Sequence, residues 1–145
     1  MQAPPPNAVD ARLTSSASWL YWVAALSAIN TVIHLSGGTW TFALGLGLTE
    51  YLTGAGNALG PMAKTITLGA TAGVLVLMAF LGYMACRGAV WAFIGGAVLL
   101  ILDTLLLLPF AGEAIISIAV HIWAVISLFV GAGVASRIQK GTYVG

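Results

Sequence analysis

Four long apolar stretches dominate the pattern of hydrophobic and polar positions in this chain. They run from about Ser18 to Leu35, from Pro61 or Met62 to Tyr83, from Ala89 to Leu108, and from Glu113 to Ala135. Each is close to the roughly 20 residues that a helix needs to cross the hydrocarbon core of a bilayer. The pattern therefore predicts an all-α, polytopic membrane protein with a bundle of four transmembrane helices.

The segment between the first two stretches, Thr39 to Gly60, has a different pattern. Its apolar residues are interrupted by five glycines, and no part of it is long enough for a confident span. Short apolar segments of this kind lie at the membrane interface or enter the bilayer and return on the same side. We predict a short interfacial or re-entrant helix around Phe42 to Leu52.

The two ends of the chain are more polar than its centre. Residues 1–16 include three consecutive prolines, which favour an extended backbone. We predict a cytoplasmic tail over residues 1–17, one membrane domain over residues 18–136, and a second cytoplasmic tail over residues 137–145. The apolar run after Arg12 is as long as a membrane span, so we interpret it as the first helix rather than as a signal peptide.

Composition supports the membrane interpretation. Hydrophobic residues make up 60% of the chain and charged residues only 6%, whereas soluble domains carry about 25% charged residues. So few charges cannot cover a surface that faces water, and no basic patch suits nucleic acid. The single cysteine, Cys86, excludes an internal disulfide and a cysteine metal cluster.

The basic residues indicate an orientation. In a hairpin array of four helices, Arg12, Arg87, Arg137 and Lys140 fall on one side. Positive residues concentrate on the cytoplasmic side of a membrane protein. We therefore predict that both termini are cytoplasmic.

Polar residues within the helices fall in the outer half of the predicted membrane domain. Because polar side chains are costly in lipid, we expect them to turn inward and form a polar pocket. They serve either as hydrogen bonds between helices or as a ligand site, and Asp103 with His121 is the pair that most needs a test. The candidate residues are Asn30, Thr31, His34, Lys64, Asp103, Ser117 and His121.

Several chemistries compete for these residues. His34, His121 and Asp103, with Glu50 or Glu113, could ligate a metal, and the two histidines could hold haem b, but no motif of fixed spacing supports either site. Passage of protons or small solutes through Asp103 and His121 lacks a polar path in the other half of the bundle. Ser117 and His121 lie four residues apart on one helix, which does not suit a protease. We predict no cofactor.

Small residues favour close approach between helices. Gly69, Gly73, Gly96 and Gly131 lie on surfaces of small residues spaced by four positions. These surfaces pack either within one bundle or between chains.

Two parts of the chain carry a resemblance. The first is Ser27 to Tyr51, with Ile29-Asn30 and Gly45-Leu46-Gly47-Leu48-Thr49; the second is Leu102-Asp103 followed by Ser117 to His121. Together they resemble small uncharacterised bacterial four-helix integral membrane proteins. The resemblance implies a bacterial inner membrane and a four-helix fold, and it implies no activity.

We therefore expect a non-enzymatic accessory subunit or partner-binding module of a membrane complex. Its partners would be the lipid bilayer and other membrane subunits or further copies of the chain. The alternative is a metal- or haem-binding redox or transport protein that uses His34, His121 and Asp103. An absorption spectrum would separate the two.

Overall fold

A computed structural model describes residues 6–38 and 46–141 of the chain. The described residues form five α-helices, with a single 3₁₀ turn, Leu108–Phe110, between the last two. This confirms the all-α prediction. The helices are α1 (Pro6–Leu35), α2 (Gly47–Leu59), α3 (Pro61–Cys86), α4 (Val90–Leu107) and α5 (Ala111–Gln139).

Four of the helices are long and apolar enough to cross a membrane. The qualifying stretches are Ala11–Leu35 of α1, the whole of α3, the whole of α4 and Ile115–Gln139 of α5. They coincide with the four apolar stretches of the sequence to within a few residues at most ends. Large apolar side chains cover their outer surfaces, which indicates a membrane protein because such a surface is unfavourable in water.

Helix α1 begins earlier than the sequence predicts. The extended backbone expected for residues 1–16 is wrong from Pro6 onward, while residues 1–5 lie outside the described part of the chain. A proline is compatible with the first position of a helix, where its missing N–H has no helical partner. Leu13 and Ala17 are buried in the bundle, so packing stabilises helical residues that precede Ser18 in the sequence.

Helix α2 lies later in the chain than the predicted Phe42 to Leu52 segment, of which residues 42–45 lie outside the described residues. It ends at Gly60, whose φ of 99° turns the chain directly into α3. The two helices form a hairpin. They approach so closely that a Cβ on Gly56 would overlap the Thr67 hydroxyl, which explains the glycine inside α2.

The register of the bundle is set where α1, α4 and α5 touch. A Cβ on Gly131 of α5 would collide with Phe93 of α4 and with Ser16 of α1. Asp103 lies ten residues after Phe93, and His121 lies ten residues before Gly131 on an antiparallel helix. Both side chains therefore lie roughly 15 Å from that contact, at the same level.

Two of the four predicted packing glycines make close contacts within the chain. Gly131 packs as described, and a Cβ on Gly96 would overlap the side chain of Leu20. Gly69 and Gly73 have open space around their missing side chains. The small-residue surface of α3 is therefore exposed within this chain.

The four basic residues Arg12, Arg87, Arg137 and Lys140 do share one end of the bundle, which we call the basic end. Leu13 and Gly88 of the α3–α4 turn line one cavity at this end, and the Gln139 side chain donates a hydrogen bond to the Gly88 carbonyl at 3.1 Å. These contacts bring the start of α1, the α3–α4 turn and the end of α5 together.

Candidate functional site

The start of helix α2 is the centre of the candidate site. The first four N–H groups of any helix lack partners within that helix. A Ser, Thr, Asp or Asn at the N-cap commonly accepts one of them, but Leu46 occupies this position and supplies no cap. Residues from other helices satisfy most of these donors.

Asp103 of α4 accepts two of them. Its Oδ2 atom accepts a hydrogen bond from Gly47 N at 2.9 Å, and its Oδ1 atom accepts one from Leu48 N at 2.8 Å. A carboxylate at this place also faces the positive end of the helix dipole. The close approach depends on Gly47, because a Cβ there would overlap Leu107 of α4.

Ser27 of α1 and the α2 backbone satisfy the other two donors. Ser27 Oγ accepts a hydrogen bond from Leu46 N at 2.6 Å, while its own proton goes to the Val23 carbonyl at 2.7 Å. Thr49 N donates to the Leu46 carbonyl at 3.2 Å. All four donors at the start of α2 are thus paired, as an apolar surrounding requires.

His121 of α5 lies on the other side of the Asp103 carboxylate. Its Nδ1 atom is 2.7 Å from the Ser117 carbonyl oxygen, which can only accept, so Nδ1 carries a proton. Its Nε2 atom is 3.0 Å from Asp103 Oδ2, but the two are not aligned for a hydrogen bond. The contact is a close approach of two ionisable groups, both buried.

A second contact holds α2 one turn further along. Asn30 of α1 donates from Nδ2 to Glu50 Oε1 at 2.8 Å. Burial raises the pKa of Glu50 above its ordinary value, while the charge of His34 and the Asn30 hydrogen bond partly oppose this shift. Glu50 thus ties α2 to α1 in addition to the Asp103 contacts. We call Ser27, Asn30, Glu50, Asp103 and His121 the anchor cluster.

The other predicted site residues have different places. Thr31 donates to the Ser27 carbonyl at 2.9 Å, so its hydroxyl bonds its own helix. Ser117 Oγ lies 3.5 Å from His121 Nδ1, which donates to a carbonyl and cannot activate the serine as a base. Lys64 packs through its backbone against Gly56, roughly 14 Å along α2 from Gly47, so it does not join the cluster.

The two cofactor sites considered from the sequence would use His34, His121 and Asp103. Among the described residues, no group of three His, Cys, Asp or Glu residues is arranged to hold a metal ion. Ser27 lies beside the start of α2, as Asp103 and His121 do. His34 lies seven residues beyond Ser27, roughly 10 Å further along α1. Two axial haem ligands must face each other across one iron atom. The Glu113 side chain lies outside the described part of the structure.

Sequence reasoning missed the role of the α2 backbone. Asp103 was expected to pair with a side chain, yet two of its partners are the main-chain N–H groups of Gly47 and Leu48. Ser27 is not among the predicted site residues, and the sequence analysis considers Glu50 only as a metal ligand. The usable signal was a helix start without a capping residue at Leu46.

Comparison with protein-family models, with curated proteins and with solved structures finds no match for this chain. Function is therefore inferred from the geometry.

Proposed function

We propose that this chain is a non-enzymatic accessory subunit or partner-binding module of a bacterial inner-membrane complex. In this proposal the anchor cluster is a structural device rather than a reactive centre. It fixes helix α2, so that the α2–α3 hairpin presents a surface to a partner within the membrane. The partner is another membrane subunit or a second copy of the chain.

The observation that supports the proposal is the pairing of Asp103. Both of its oxygens accept hydrogen bonds from N–H groups of α2. The imidazole of His121 beside it is oriented by its own hydrogen bond to the Ser117 carbonyl. A catalytic or transporting carboxylate needs access to substrate or to a proton path. Here Asp103 is only 3% exposed, and its hydrogen bonds hold a helix in place.

The hairpin that this anchor fixes carries exposed apolar side chains. Tyr51 and Leu59 of α2 are 70% and 76% exposed, and Met62 of α3 is 81% exposed. Leu59 and Met62 flank the turn at Gly60, and Tyr51 lies about two helical turns before Leu59 on α2. A hydrophobic surface with a large aromatic residue is typical of the centre of a protein interface.

We further propose that α2 is re-entrant and that the basic end faces the cytoplasm. Ser27 lies eight residues before the end of α1 at Leu35, so the start of α2 is roughly 12 Å below the outer surface. The basic end agrees with the positive-inside rule. A reporter enzyme that is active only in the periplasm should stay inactive when it is fused after Gly145. An active reporter would mean that the C-terminus is periplasmic and that the proposed orientation is wrong.

Site-specific photocrosslinking in cells tests the partner surface. A photoreactive amino acid at Tyr51 or Met62 should give a discrete adduct whose second component mass spectrometry identifies as a membrane subunit or another copy of this chain. Ile116 on α5 is the matched control, since it is 62% exposed in the same half of the bundle. It should give lipid adducts only.

The anchor provides a second arm of the experiment. Asp103→Leu removes the acceptors that hold α2, so the adduct at Tyr51 should weaken while the chain stays in the membrane. Adducts with lipid alone at all three positions would contradict the partner-binding proposal. A purified protein with a Soret band, or with stoichiometric metal that His121→Ala loses, would favour the redox or transport alternative instead.

A further inference from the structure

A second site is suggested at the opposite end of the molecule from the anchor cluster. A cavity of about 360 Å³ lies at the basic end, between the start of α1, the α3–α4 turn and the end of α5. Arg87 and Gln139 form its polar wall, and Leu13 and Ile138 form an apolar wall. The cavity is thus amphipathic.

The Arg87 side chain is held in position by an aromatic ring. Its guanidinium carbon lies 4.4 Å from the centre of the Tyr83 ring, in the last turn of α3. Stacking of this kind uses the face of the guanidinium and leaves its N–H donors at the edge, where they suit the oxygens of a phosphate. No carboxylate among the described side chains pairs with Arg87.

The cavity walls are joined by a hydrogen bond. Gln139 donates to the Gly88 carbonyl at 3.1 Å, which ties the end of α5 to the turn that carries Arg87. Gly88 has a φ of 78°, a conformation that a residue with a side chain rarely adopts. The turn is therefore tight, and it keeps Arg87 beside the cavity.

The position of the cavity points to the source of the phosphate. The α3–α4 turn lies where two predicted spans end, which is the depth of lipid headgroups. Arg12, Arg137 and Lys140 add positive charge at the same end, and such clusters attract anionic lipids. The apolar wall of Leu13 and Ile138 suits the glycerol and upper acyl chain of a lipid. A free phosphate ion has no apolar group to contact this wall.

We infer that this cavity binds the phosphate headgroup of an anionic phospholipid, with Arg87 as its main ligand. The guanidinium donates to the phosphate oxygens, and the apolar wall contacts the chain below the headgroup. This site is independent of the partner surface at the other end of the bundle.

Native mass spectrometry of the purified full-length chain in detergent tests the inference. Phosphatidylglycerol and phosphatidylcholine are added separately at equal concentrations, and retained lipid is measured for the wild type and its variants. We expect preferential retention of phosphatidylglycerol and about tenfold weaker retention in Arg87→Gln, which loses a charge-assisted, bidentate donor. Arg87→Lys keeps the charge but not the planar donors, so its loss should be smaller.

Lys140→Gln is the matched control because it removes one positive charge at the same end without lining the cavity. It should retain phosphatidylglycerol within about twofold of wild type. Equal losses in Arg87→Gln and Lys140→Gln would overturn the inference in favour of diffuse charge. Displacement of the lipid by millimolar inorganic phosphate would assign the cavity to free phosphate. If Arg87→Gln does not fold, undiminished retention in Arg87→Lys together with no preference between the two lipids would also overturn it.

Discussion

Asp103 shows how a costly residue can become stabilising in an apolar bundle. An ionised carboxylate at the centre of a membrane helix costs roughly 3 kcal/mol, and helix α2 begins with donors that no capping residue satisfies. Each of these costs is large when considered alone. The hydrogen bonds from Gly47 and Leu48 lower both costs at once, because they supply the carboxylate with donors and two of the α2 donors with acceptors.

We predict that Asp103→Asn loosens the start of α2. Asparagine keeps the size of the side chain, but one of its two terminal atoms becomes a donor, and that atom must face the N–H group of Gly47 or of Leu48. The docking of α2 should weaken by about 1–3 kcal/mol, the cost of an unsatisfied buried donor. Hydrogen–deuterium exchange of residues 46–50 in detergent measures this directly.

Thr104→Val is the control for that substitution. Thr104 is the next residue on α4, and its hydroxyl donates to the Leu100 carbonyl of its own helix at 2.7 Å. Its removal should cost about 1 kcal/mol or less and should leave exchange at residues 46–50 unchanged. Equal effects of the two substitutions would mean that Asp103 does not anchor α2.

The sequence predicts part of this residue-scale site. The cost of a charge in lipid singled out Asp103, and the search for a compensating group led to His121, which lies 3.0 Å away. The backbone partners could not be predicted in this way. Every residue except proline has a backbone N–H group, so the sequence does not show which of these groups lack a helical partner. That depends on where α2 begins.

At the scale of elements, the length of each apolar stretch predicts the four membrane spans but does not predict the residues at which the helices begin. The four spans follow from the cost of exposing a helix backbone and polar side chains to lipid. The start of α1 depends instead on whether Leu13 and Ala17 find neighbours, which a local pattern does not contain. The start of α2 likewise depends on acceptors from α1 and α4, 19 and 55 residues away in sequence.

The raised pKa of Glu50 predicts that the packing of α2 against the rest of the bundle, which we call its docking, depends on pH. Burial raises the pKa of Glu50 in the docked state above its usual 4.5, so the docked helix binds a proton more readily than the released helix. Docking is therefore favoured at low pH and weakens as the pH rises through the raised pKa. Exchange protection of residues 47–53, corrected for intrinsic rates, should fall across this range.

Glu50→Gln is the matched variant for the pH experiment. Glutamine keeps an acceptor oxygen for the Asn30 amide, which lies 2.8 Å from Glu50 in the wild type, and it does not titrate. The fall in protection with rising pH should therefore largely disappear in this variant. A wild-type profile that is flat, or that rises with pH, would contradict the assignment.

At the scale of the whole molecule, the anchor cluster forms because the helices pack in one register. The sequence identified the polar faces and four small residues that allow close packing. It could not indicate which glycine meets which side chain, since all four small positions are equivalent by composition. In the structure, Gly131 meets Phe93 and Ser16, and Gly73 meets nothing.

Gly131 and Gly133 of α5 test this register with one and the same substitution. Gly133→Ala adds a methyl group in open space and removes a glycine from a helix, so stability should rise by up to about 1 kcal/mol. Gly131→Ala gains the same helix propensity, but its Cβ would collide with Phe93 and Ser16, and overpacking costs about 1–3 kcal/mol. Thermal unfolding in detergent should therefore shift little or upward for the first and downward for the second.

The consequence of Gly131→Ala should also reach the anchor cluster. If α5 moves away from α4 at Phe93, His121 moves relative to Asp103, roughly 15 Å along the same two helices. Exchange at residues 46–50 should then increase although the substitution contacts none of them, and Gly133→Ala should leave it unchanged. Normal protection of α2 in a destabilised Gly131→Ala protein would show that the register of α5 does not position the cluster, because packing and anchoring would then be separable.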